Sequence, residues 1–521
     1  MLPRDKTITN ERMRQWIRFV FVVLLSGSGT FACSGQASPT ADNLAQSASK
    51  PDLVLRGEII GTQNHTYVEV PFDVPAGTHR VTLTFSYTEK QQHTALDLGL
   101  LDPVQLRCWS GGNKSMLTVG LADATPSCLP GVIPPGTWKV LIGVPNIRPQ
   151  VRSQYTVQIF FTRSGLVADE PAILRAPLRN GPAWYRGDLH MHTAHSDGQC
   201  PSQAGKMVPC PVFFTADAAA RRGLDFIAVT DHNATSQYDA MRELQPYFDK
   251  LLLIPGREIT TFQGHLNLLG TTDFLDFRLG SKNVPEMNVL LENARKLGAL
   301  VSINHPRAPT GEICMGCGWT PSTPVDMSLF TGIEVVNGGE IQRPALAFWD
   351  EQIAKGYRLM AIGGSDNHNS LISPERAGAI GRPLTVVDAP ELSVPAILAA
   401  IRNGRVFVDL TSSHDKIIDI RAQSGSENTQ MGGDLRSSAG VPNQLHILVR
   451  DCAGDEVHVL LDGKQQGAPL PISNADQTIE TSLPGDSQRH WLRAEIRDSS
   501  GALLLIGNPI YINFPERREP R

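Results

Sequence analysis

Apolar, strand-like runs alternate with helical patterns over residues 181–410, and this alternation constrains the fold more than any other feature of the chain. The strand-like runs lie at 224–229, 251–254, 299–303, 332–336 and 358–362. The helical patterns lie near 211–222, 285–298, 343–355 and 392–403, and the glycines that follow them are Gly223, Gly298, Gly356 and Gly404. Repeated strand–helix units favour a parallel sheet, and at this length they predict a barrel.

Short alternating strand patterns, separated by turn residues, flank this segment on both sides. They lie at 66–74, 79–87, 136–143 and 155–161 on the N-terminal side and at 445–449, 456–461 and 492–496 on the C-terminal side. These patterns predict a β-sandwich over residues 51–165 and a second, smaller β-sandwich over residues 411–515. The fold class predicted is therefore multidomain, α/β plus β, with the barrel between two β-domains.

Composition and charge exclude several classes of protein. Hydrophobic residues make up 41% of the 521 residues and charged residues 19%, which is typical of a globular chain. The formal net charge is -5 and no stretch is strongly basic, so we expect no nucleic-acid partner. Only the N-terminal segment is apolar enough to concern a membrane, which excludes a polytopic membrane protein.

Residues 1–33 have the pattern of an export signal, in which basic residues precede the apolar run 19–25. Small residues follow as far as Ala32, and Cys33 then stands where a bacterial lipoprotein would carry its lipid. Plain cleavage near Ala32 is the alternative, because Thr30 occupies a position where leucine is usual. Residues 34–50 would form a flexible linker. We therefore expect an exported protein, either periplasmic or anchored to the membrane as a lipoprotein.

The cysteines agree with an oxidising compartment, because most of them form pairs that are close in the sequence. The predicted disulfides are Cys108 with Cys128, Cys200 with Cys210, and Cys314 with Cys317, and the prediction leaves Cys452 free. The C-x-x-C spacing of the last pair also occurs in zinc and redox sites, and this alternative stays open.

Residues of metal-binding type follow four of the predicted strands. They are Asp231 and His232 after 224–229, Glu258 after 251–254, His305 after 299–303, and Asp366 and His368 after 358–362. The carboxyl ends of parallel barrel strands meet at one mouth, where such barrels carry their chemistry. Capping and turn formation explain a single residue of this kind, but not four clusters at the same end.

The spacing of these residues fits metal coordination. His190-Met-His192 places two imidazoles on the same face of an extended segment, because side chains alternate with a period of two. Imidazole and carboxylate ligands suit Zn, Mn or Fe(II), and the clusters contain no cysteine, which argues against a structural thiolate site. The ligands are too many for one ion, so we predict two or three divalent transition-metal ions with a bridging carboxylate.

The motifs that contain these residues resemble those of the PHP (polymerase and histidinol phosphatase) superfamily. They are 188–198 with His190-Met-His192, 230–233 with His232, Glu258 with Gly264-His265, 304–306 with His305, and 365–368 with Asp366 and His368. The match covers roughly residues 185–370. The exported, β-flanked organisation is similar to the CehA/McbA-type metallohydrolase branch, which includes a carbaryl hydrolase. The resemblance implies a distorted (β/α)7 barrel and a metal-dependent hydrolase, most often a phosphoesterase.

The resemblance also implies how the ligands divide among three ions, with Glu258 as a bridge. The three sets would be His190, His192, Glu258 and Asp366; then Glu258, His265 and His305; then Asp197, His232 and His368. The third ion is the one that can be absent in related binuclear proteins. Glu258 and Asp366 both belong to the set for the first ion, and we predict that both are catalytic residues.

Two further residues are candidates for a catalytic role. His195 is a candidate proton donor, with a plain loop position as the alternative. Arg307 follows the ligand His305 by two residues, and a guanidinium matches the oxygens of a phosphate. Arg376 is a second, weaker candidate for that contact, and surface ion pairing is the alternative for both arginines. Asp231 is expected to orient a ligand imidazole, whereas Glu334, in the middle of a strand, receives no role.

The leading functional expectation is hydrolysis of a small-molecule phosphate ester by metal-activated water. Hydrolysis of a carbamate or carboxylic ester is the runner-up, following the branch resemblance. A surface polymer-binding protein with a secondary barrel is the alternative of another class. Exposed aromatic strips would favour it, but the sequence offers only scattered aromatic residues such as Trp109 and Trp138. Membrane contact is expected only through a lipid on Cys33, and the sequence gives no oligomeric state.

Overall fold

The computed structural model describes residues 50–171, 174–310, 312, 314, 316–338 and 345–515. These residues form several sheets and few helices, so the protein is not a helical one. The predicted export signal, Cys33 and nearly all of the predicted linker lie outside the described residues. Within the described ranges, no helix has both the length and the apolar character needed to cross a membrane.

The N-terminal region is built from strands and short 3-10 turns. Strands β1 to β8 are Leu53–Ile60, Tyr67–Val74, Arg80–Tyr87, Ala95–Leu101, Leu106–Trp109, Met116–Gly120, Gly136–Asn146 and Arg152–Thr162. Their order is β1-β8-β3-β6 in one sheet and β2-β7-β4-β5 in the other, and neighbouring strands in both sheets are antiparallel.

Both N-terminal sheets contribute to a single apolar core. Leu83 and Val157 of the first sheet and Leu98 and Val140 of the second are buried in it. All four strand runs predicted for this region coincide with strands of the structure. Trp138 is fully buried in the same core, so it cannot belong to an exposed aromatic strip.

The central region contains both strands and helices. Strands β9 to β19 are Arg179–Asp188, Gln199–Pro201, Met207–Pro209, Phe226–Val229, Leu252–Thr261, Gly264–Leu269, Leu300–Ile303, Gly332–Asn337, Met360–Gly364, Leu384–Leu392 and Val406–Asp409. Helices α1 to α5 are Val212–Arg221, Gln237–Leu244, Met287–Lys296, Leu346–Ala354 and Val394–Arg402. The four predicted helices are present, and α1 and α3 are followed by Gly223 and Gly298 with φ of 68° and 65°.

The sheet of the central region is mixed, which corrects the predicted all-parallel arrangement. Its order is β17-β16-β15-β14-β13-β12-β9-β18-β19. Strands β9, β12 and β13 pair in parallel, as do β15, β16 and β17. Strand β14 is antiparallel to both neighbours, and only Phe262 and Gln263 connect it to β13. A two-residue connection permits only a hairpin, whereas a parallel pair needs a longer crossover.

The C-terminal strands do not all form a separate sheet. Strands β20 to β30 are Ile417–Ser424, Glu427–Gln430, Asp434–Leu435, Asn443–Arg450, Glu456–Leu461, Lys464–Gln465, Leu470–Pro471, Asp476–Leu483, His490–Arg497, Leu503–Gly507 and Ile510–Ile512. Strands β21, β20, β23 and β27 form one sheet, but β29 pairs with β19 and extends the central sheet into this region. The sheet therefore crosses the boundary predicted near residue 410.

A buried group of four charged residues links the N-terminal strands to the central region. The guanidinium of Arg80 lies 2.5 Å from the carboxylate of Asp123 and 3.1 Å from that of Glu170. Arg242 of α2 pairs with both carboxylates from the other side. Burial alone would raise the pKa of Asp123, but Arg242 and Arg80 outweigh it and lower the pKa to about 2.

We expect Asp123→Ala to lower the free energy of unfolding by about 2 kcal/mol, because it leaves the buried Arg80 with Glu170 as its remaining partner. Denaturant unfolding measures this loss. Lys139→Ala is the control, because its pair with Glu69 is exposed and should contribute less than about 1 kcal/mol. The folded pKa of Asp123 is depressed from 3.8, so its contribution is present above that pH and lost as pH falls through about 2. Equal losses in the two variants would contradict this account.

Candidate metal centre

The nine predicted ligands lie at the ends of neighbouring strands or on the loops that follow them. His190 and His192 follow β9, and Asp197 lies on the loop beyond them. The remaining ligands are His232 after β12, Glu258 in β13, His265 in β14, His305 after β15, and Asp366 and His368 after β17. Because these strands are neighbours in one sheet, their ends bring the side chains to a common edge.

The structure brings all nine residues together in four overlapping groups, in each of which the ligand atoms lie within 4.8 Å of one another. The groups are His192, Asp197, His232 and His368; His190, His192 and Glu258; His190, His305 and Asp366; and Glu258, His265 and His305. The last group equals the set implied for the second ion, and the first equals the third set with His192 added. The set implied for the first ion is divided between the other two groups.

Glu258 lies at the centre of these groups. Its side chain is almost fully buried, and its two oxygens face different histidines. Oε1 lies 3.2 Å from His265 Nδ1 and 3.2 Å from His305 Nε2, whereas Oε2 lies 2.8 Å from His232 Nδ1. His190 and His192 approach the same carboxylate at 3.4 and 3.5 Å. This arrangement is what a carboxylate that bridges two ions requires.

Solvent exposure differs strongly across the cluster, and the side chains of His232 and Asp366 are intermediate at 27% and 23%. The side chains of Asp197 and His368 are 56% and 41% exposed. By contrast, the side chains of His190, Glu258 and His305 are 6% exposed or less. The cluster is therefore accessible from solvent on the side of Asp197 and His368.

The carboxylates and imidazoles shift each other's pKa values strongly. Burial disfavours charged imidazoles, but neighbouring carboxylates outweigh it and raise the pKa of His232 to about 10 and that of His305 to about 9. Burial likewise acts to raise the pKa of Glu258, yet the surrounding histidines hold it well below the ordinary value. Cation binding at the cluster must therefore displace protons from imidazoles, so metal affinity should rise with pH.

The donor set fits divalent metal ions. Among the described residues, His190 Nε2, Glu258 Oε2 and both ring nitrogens of His265 are buried and form no hydrogen bond of good geometry, although polar atoms of the cluster lie within 3.4 Å of three of these four atoms. Buried polar atoms are normally paired, so these atoms require an explanation. Ions held between imidazole nitrogens and carboxylate oxygens would satisfy them, and the ligand types are those of Zn, Mn or Fe.

Glu334 of β16 is part of the site, and sequence reasoning missed it. Its Oε1 lies 3.0 Å from His190 Nδ1, and its Oε2 accepts the backbone N–H of His305 at 2.9 Å. The carboxylate thereby fixes the ring of His190 and leaves Nε2 to face the cluster. A single acidic residue in the otherwise neutral run Gly332–Asn337 was the available signal.

We expect Glu334→Gln to weaken metal binding by roughly tenfold, because the amide fixes the His190 ring less firmly than the carboxylate does. Titration of metal-free protein against a competing chelator measures the change. Glu480→Gln is the control, since that side chain is 76% exposed on a C-terminal strand. Unchanged affinity in Glu334→Gln would show that Glu334 does not position His190.

Three other polar residues support the cluster in different ways. Asn304 donates from Nδ2 to Glu258 Oε1 at 2.9 Å and thereby supports a ligand directly. Asn233 instead bonds the backbone of Thr260 and holds the end of β13. Asp231 was expected to orient a ligand imidazole, and it reaches one only through Ser196, whose hydroxyl donates to Asp231 Oδ1 at 2.7 Å and lies 3.4 Å from His192 Nδ1. The Asp231 carboxylate also accepts from Thr193. It therefore fixes the loop that follows His192.

His195 and Arg307 lie beside the ligand groups and belong to none of them. His195 Nδ1 is 2.8 Å from Ser236 Oγ, on the loop that follows His232. Arg307 is exposed, and its guanidinium lies 5.9 Å from the centre of the Phe348 ring. The catalytic roles of both residues stay predictions.

The three predicted disulfides are confirmed, and Cys452 is free and buried. Cys314 and Cys317 are thus bonded to each other, which argues against the zinc alternative for that pair.

Comparison of the chain with protein-family models and with curated proteins found no match. The resemblance to the PHP superfamily therefore rests on its motifs.

Proposed function

We propose that this protein is an exported metal-dependent hydrolase with a multinuclear centre. The observation that carries the proposal is the convergence of six imidazoles and two further carboxylates around the buried Glu258. Divalent ions bound there would supply an acidified water and an electrophile for the substrate oxygen. Three disulfides support export, because disulfides persist in oxidising compartments.

We also propose that β9 and β12 to β17 belong to a distorted (β/α)7 barrel of the PHP type. The ligand-bearing ends of these strands lie at one edge, as in barrels that carry their chemistry at one mouth. The antiparallel β14 is a distortion of the regular pattern, and it carries the ligand His265.

The residues at the proposed centre would have separate roles in metal binding, proton transfer and substrate binding. Glu258 and Asp366 fix the ions in the buried part, while Asp197 and His368 border the side that is open to solvent. His195 is held by Ser236 next to this opening, where it can give a proton to a leaving group. Arg307 lies on the loop after His305, where its guanidinium can reach substrate oxygens.

A phosphate ester is the substrate class that the charge of the centre favours. Four carboxylates contact the cluster's imidazoles: Asp197, Glu258, Glu334 and Asp366. Three divalent ions would carry more positive charge than these four groups neutralise, which suits an anionic substrate.

A neutral carbamate or carboxylic ester is the second candidate. The observation that favours it is that, in the described part of the chain, none of the nine ligands pairs with a lysine or an arginine. A phosphate-binding site usually adds such a group.

A substrate screen tests the proposal. Phosphomonoesters, phosphodiesters, carbamates and aryl esters are offered to protein as purified, after chelation, and after return of Zn, Mn or Fe. We expect hydrolysis of at least one class, its loss on chelation and its recovery with metal. Hydrolysis that survives complete chelation would contradict a metal-dependent mechanism.

A further inference from the structure

The loop that carries Asp197 is closed by a disulfide close to the open side of the cluster. Cys200 lies three residues after Asp197, and its bond to Cys210 joins the short hairpin of β10 and β11. Both cysteines are 1% exposed, although the hairpin itself is largely at the surface. The bond is therefore part of the interior that supports this side of the cluster.

Backbone contacts connect this hairpin to both sides of the open part of the cluster. The N–H of Gln199 donates to the carbonyl of His368 at 2.8 Å. The N–H of Cys210 donates to the carbonyl of Gly198 at 2.9 Å, and its own carbonyl accepts the N–H of Ala194 at 2.7 Å. Hydrogen bonds to the backbone of Cys210 therefore hold the chain on both sides of Asp197.

The sulfur of Cys210 reaches the other ligand segment directly. Its Sγ lies 3.1 Å from the hydroxyl oxygen of Ser370, two residues beyond His368. Helix α1 begins at Val212, two residues after Cys210, and packs into the core through Val212 and Ala216. The disulfide therefore ties the Asp197 loop to an element that is fixed in the core.

The buried ligands do not depend on this connection. Glu258 and His265 lie within paired strands, whereas Asp197 and His368 lie on loops and are the most exposed of the ligands discussed. The described ion contacts of Asp197 are with His192, His232 and His368, at 3.9, 3.6 and 3.4 Å. Its position relative to His368 is thus set by the loop.

We propose that the Cys200–Cys210 disulfide positions Asp197 and His368 for the third ion and has no role for the two buried ions. This inference rests on the proposed multinuclear centre. Without the bond, the Asp197 loop is tied to Cys210 by hydrogen bonds alone. The third ion then binds more weakly, while the ions around Glu258 stay.

The test compares two double variants of the full chain. The variant Cys200→Ser with Cys210→Ser should weaken the binding of one ion by roughly tenfold or more. Asp197→Ala, which lacks a ligand of that ion, shows the result expected when the ion is lost completely. Cys108→Ser with Cys128→Ser is the control, because that disulfide joins a buried and a half-buried cysteine in the N-terminal sheets. It should keep every ion. Elemental analysis at a series of free metal concentrations measures both.

A second readout needs no metal. In chelated protein, peptides covering 194–211 and 366–371 should exchange amide hydrogens faster in the Cys200→Ser, Cys210→Ser variant, whereas peptides of β13 and β14 should not change. Should that variant fail to fold, Cys200→Ala with Cys210→Ala serves instead, since it removes the same bond without burying two hydroxyl groups.

The outcomes separate this inference from the proposed function. Unchanged ion affinity together with unchanged exchange in the Cys200→Ser, Cys210→Ser variant would overturn the positioning role. Weakening of all ions to the same extent would overturn its restriction to the third ion. A wild type that binds no metal would overturn the proposed function, and the exchange experiment would still report whether the disulfide orders the loop.

Discussion

Glu258→Gln is expected to weaken two ions at once and to lower hydrolysis by at least roughly a thousandfold, about 4 kcal/mol in the activation barrier. The carboxylate contacts five histidines, with its two oxygens facing different members of the cluster. Glutamine keeps the volume of the side chain. It removes the negative charge and replaces one acceptor oxygen by a donor, so it cannot bridge two cations.

Metal content and kcat/KM measured on the same preparation test this expectation. Glu334→Gln is the matched control, because Glu334 is equally buried and contacts His190 but belongs to none of the ligand groups. At saturating metal the control should hold as many ions as the wild type. Loss of only one ion from Glu258→Gln, or of none, would contradict a bridging role for Glu258.

Arg307→Ala is expected to lower activity on phosphate esters by roughly a hundredfold, equivalent to about 2.7 kcal/mol. A phosphate ester retains negatively charged oxygens, which the planar fork of a guanidinium can bind. Arg307 is exposed on the loop after His305 and rests on the ring of Phe348. Neutral carbamates and aryl esters offer no such charge, so their hydrolysis should barely change.

Two further variants sharpen the comparison. Arg307→Lys keeps the positive charge but not the fork, so it should recover part of the lost activity. Arg376→Ala removes an exposed arginine from the loop beyond His368 and should have the smaller effect. If Arg307→Ala reduces carbamate hydrolysis as severely as phosphate hydrolysis, or if the wild type accepts no phosphate ester, the neutral-ester alternative is favoured.

Much of the secondary structure could be predicted because its signals are local. Apolar runs such as 332–336 and glycines such as Gly298 mark strands and helix ends without knowledge of distant contacts. Helix α2 was missed, since it is short and polar over Gln237–Leu244. The pairing of β29 with β19 was also missed, because an inter-strand pairing across a hundred residues leaves no local pattern.

In the candidate site, too, residues with a local sequence signal could be predicted, whereas contacts between distant segments could not. Seven of the nine ligands could be chosen from strand-end positions and spacing, whereas Asp197 and His265 were implied only by the resemblance to the PHP superfamily, and the structure brings all nine together. Glu334 could not be assigned, since a side chain in the middle of a strand can face either side of the sheet. Asp231 adjoins His232 in sequence but bonds Thr193 and Ser196, a choice that depends on how the loops meet.

The central claim is that one chain holds a multinuclear centre with a buried part around Glu258 and an exposed part around Asp197. Elemental analysis of the wild type and of Asp197→Ala, both purified without exposure to a chelator, tests it most directly. We expect two or three transition-metal ions per wild-type chain as purified and three ions at saturating metal. In Asp197→Ala only the exposed ion should be lost. One ion or none in the wild type, or loss of every ion in Asp197→Ala, would contradict it.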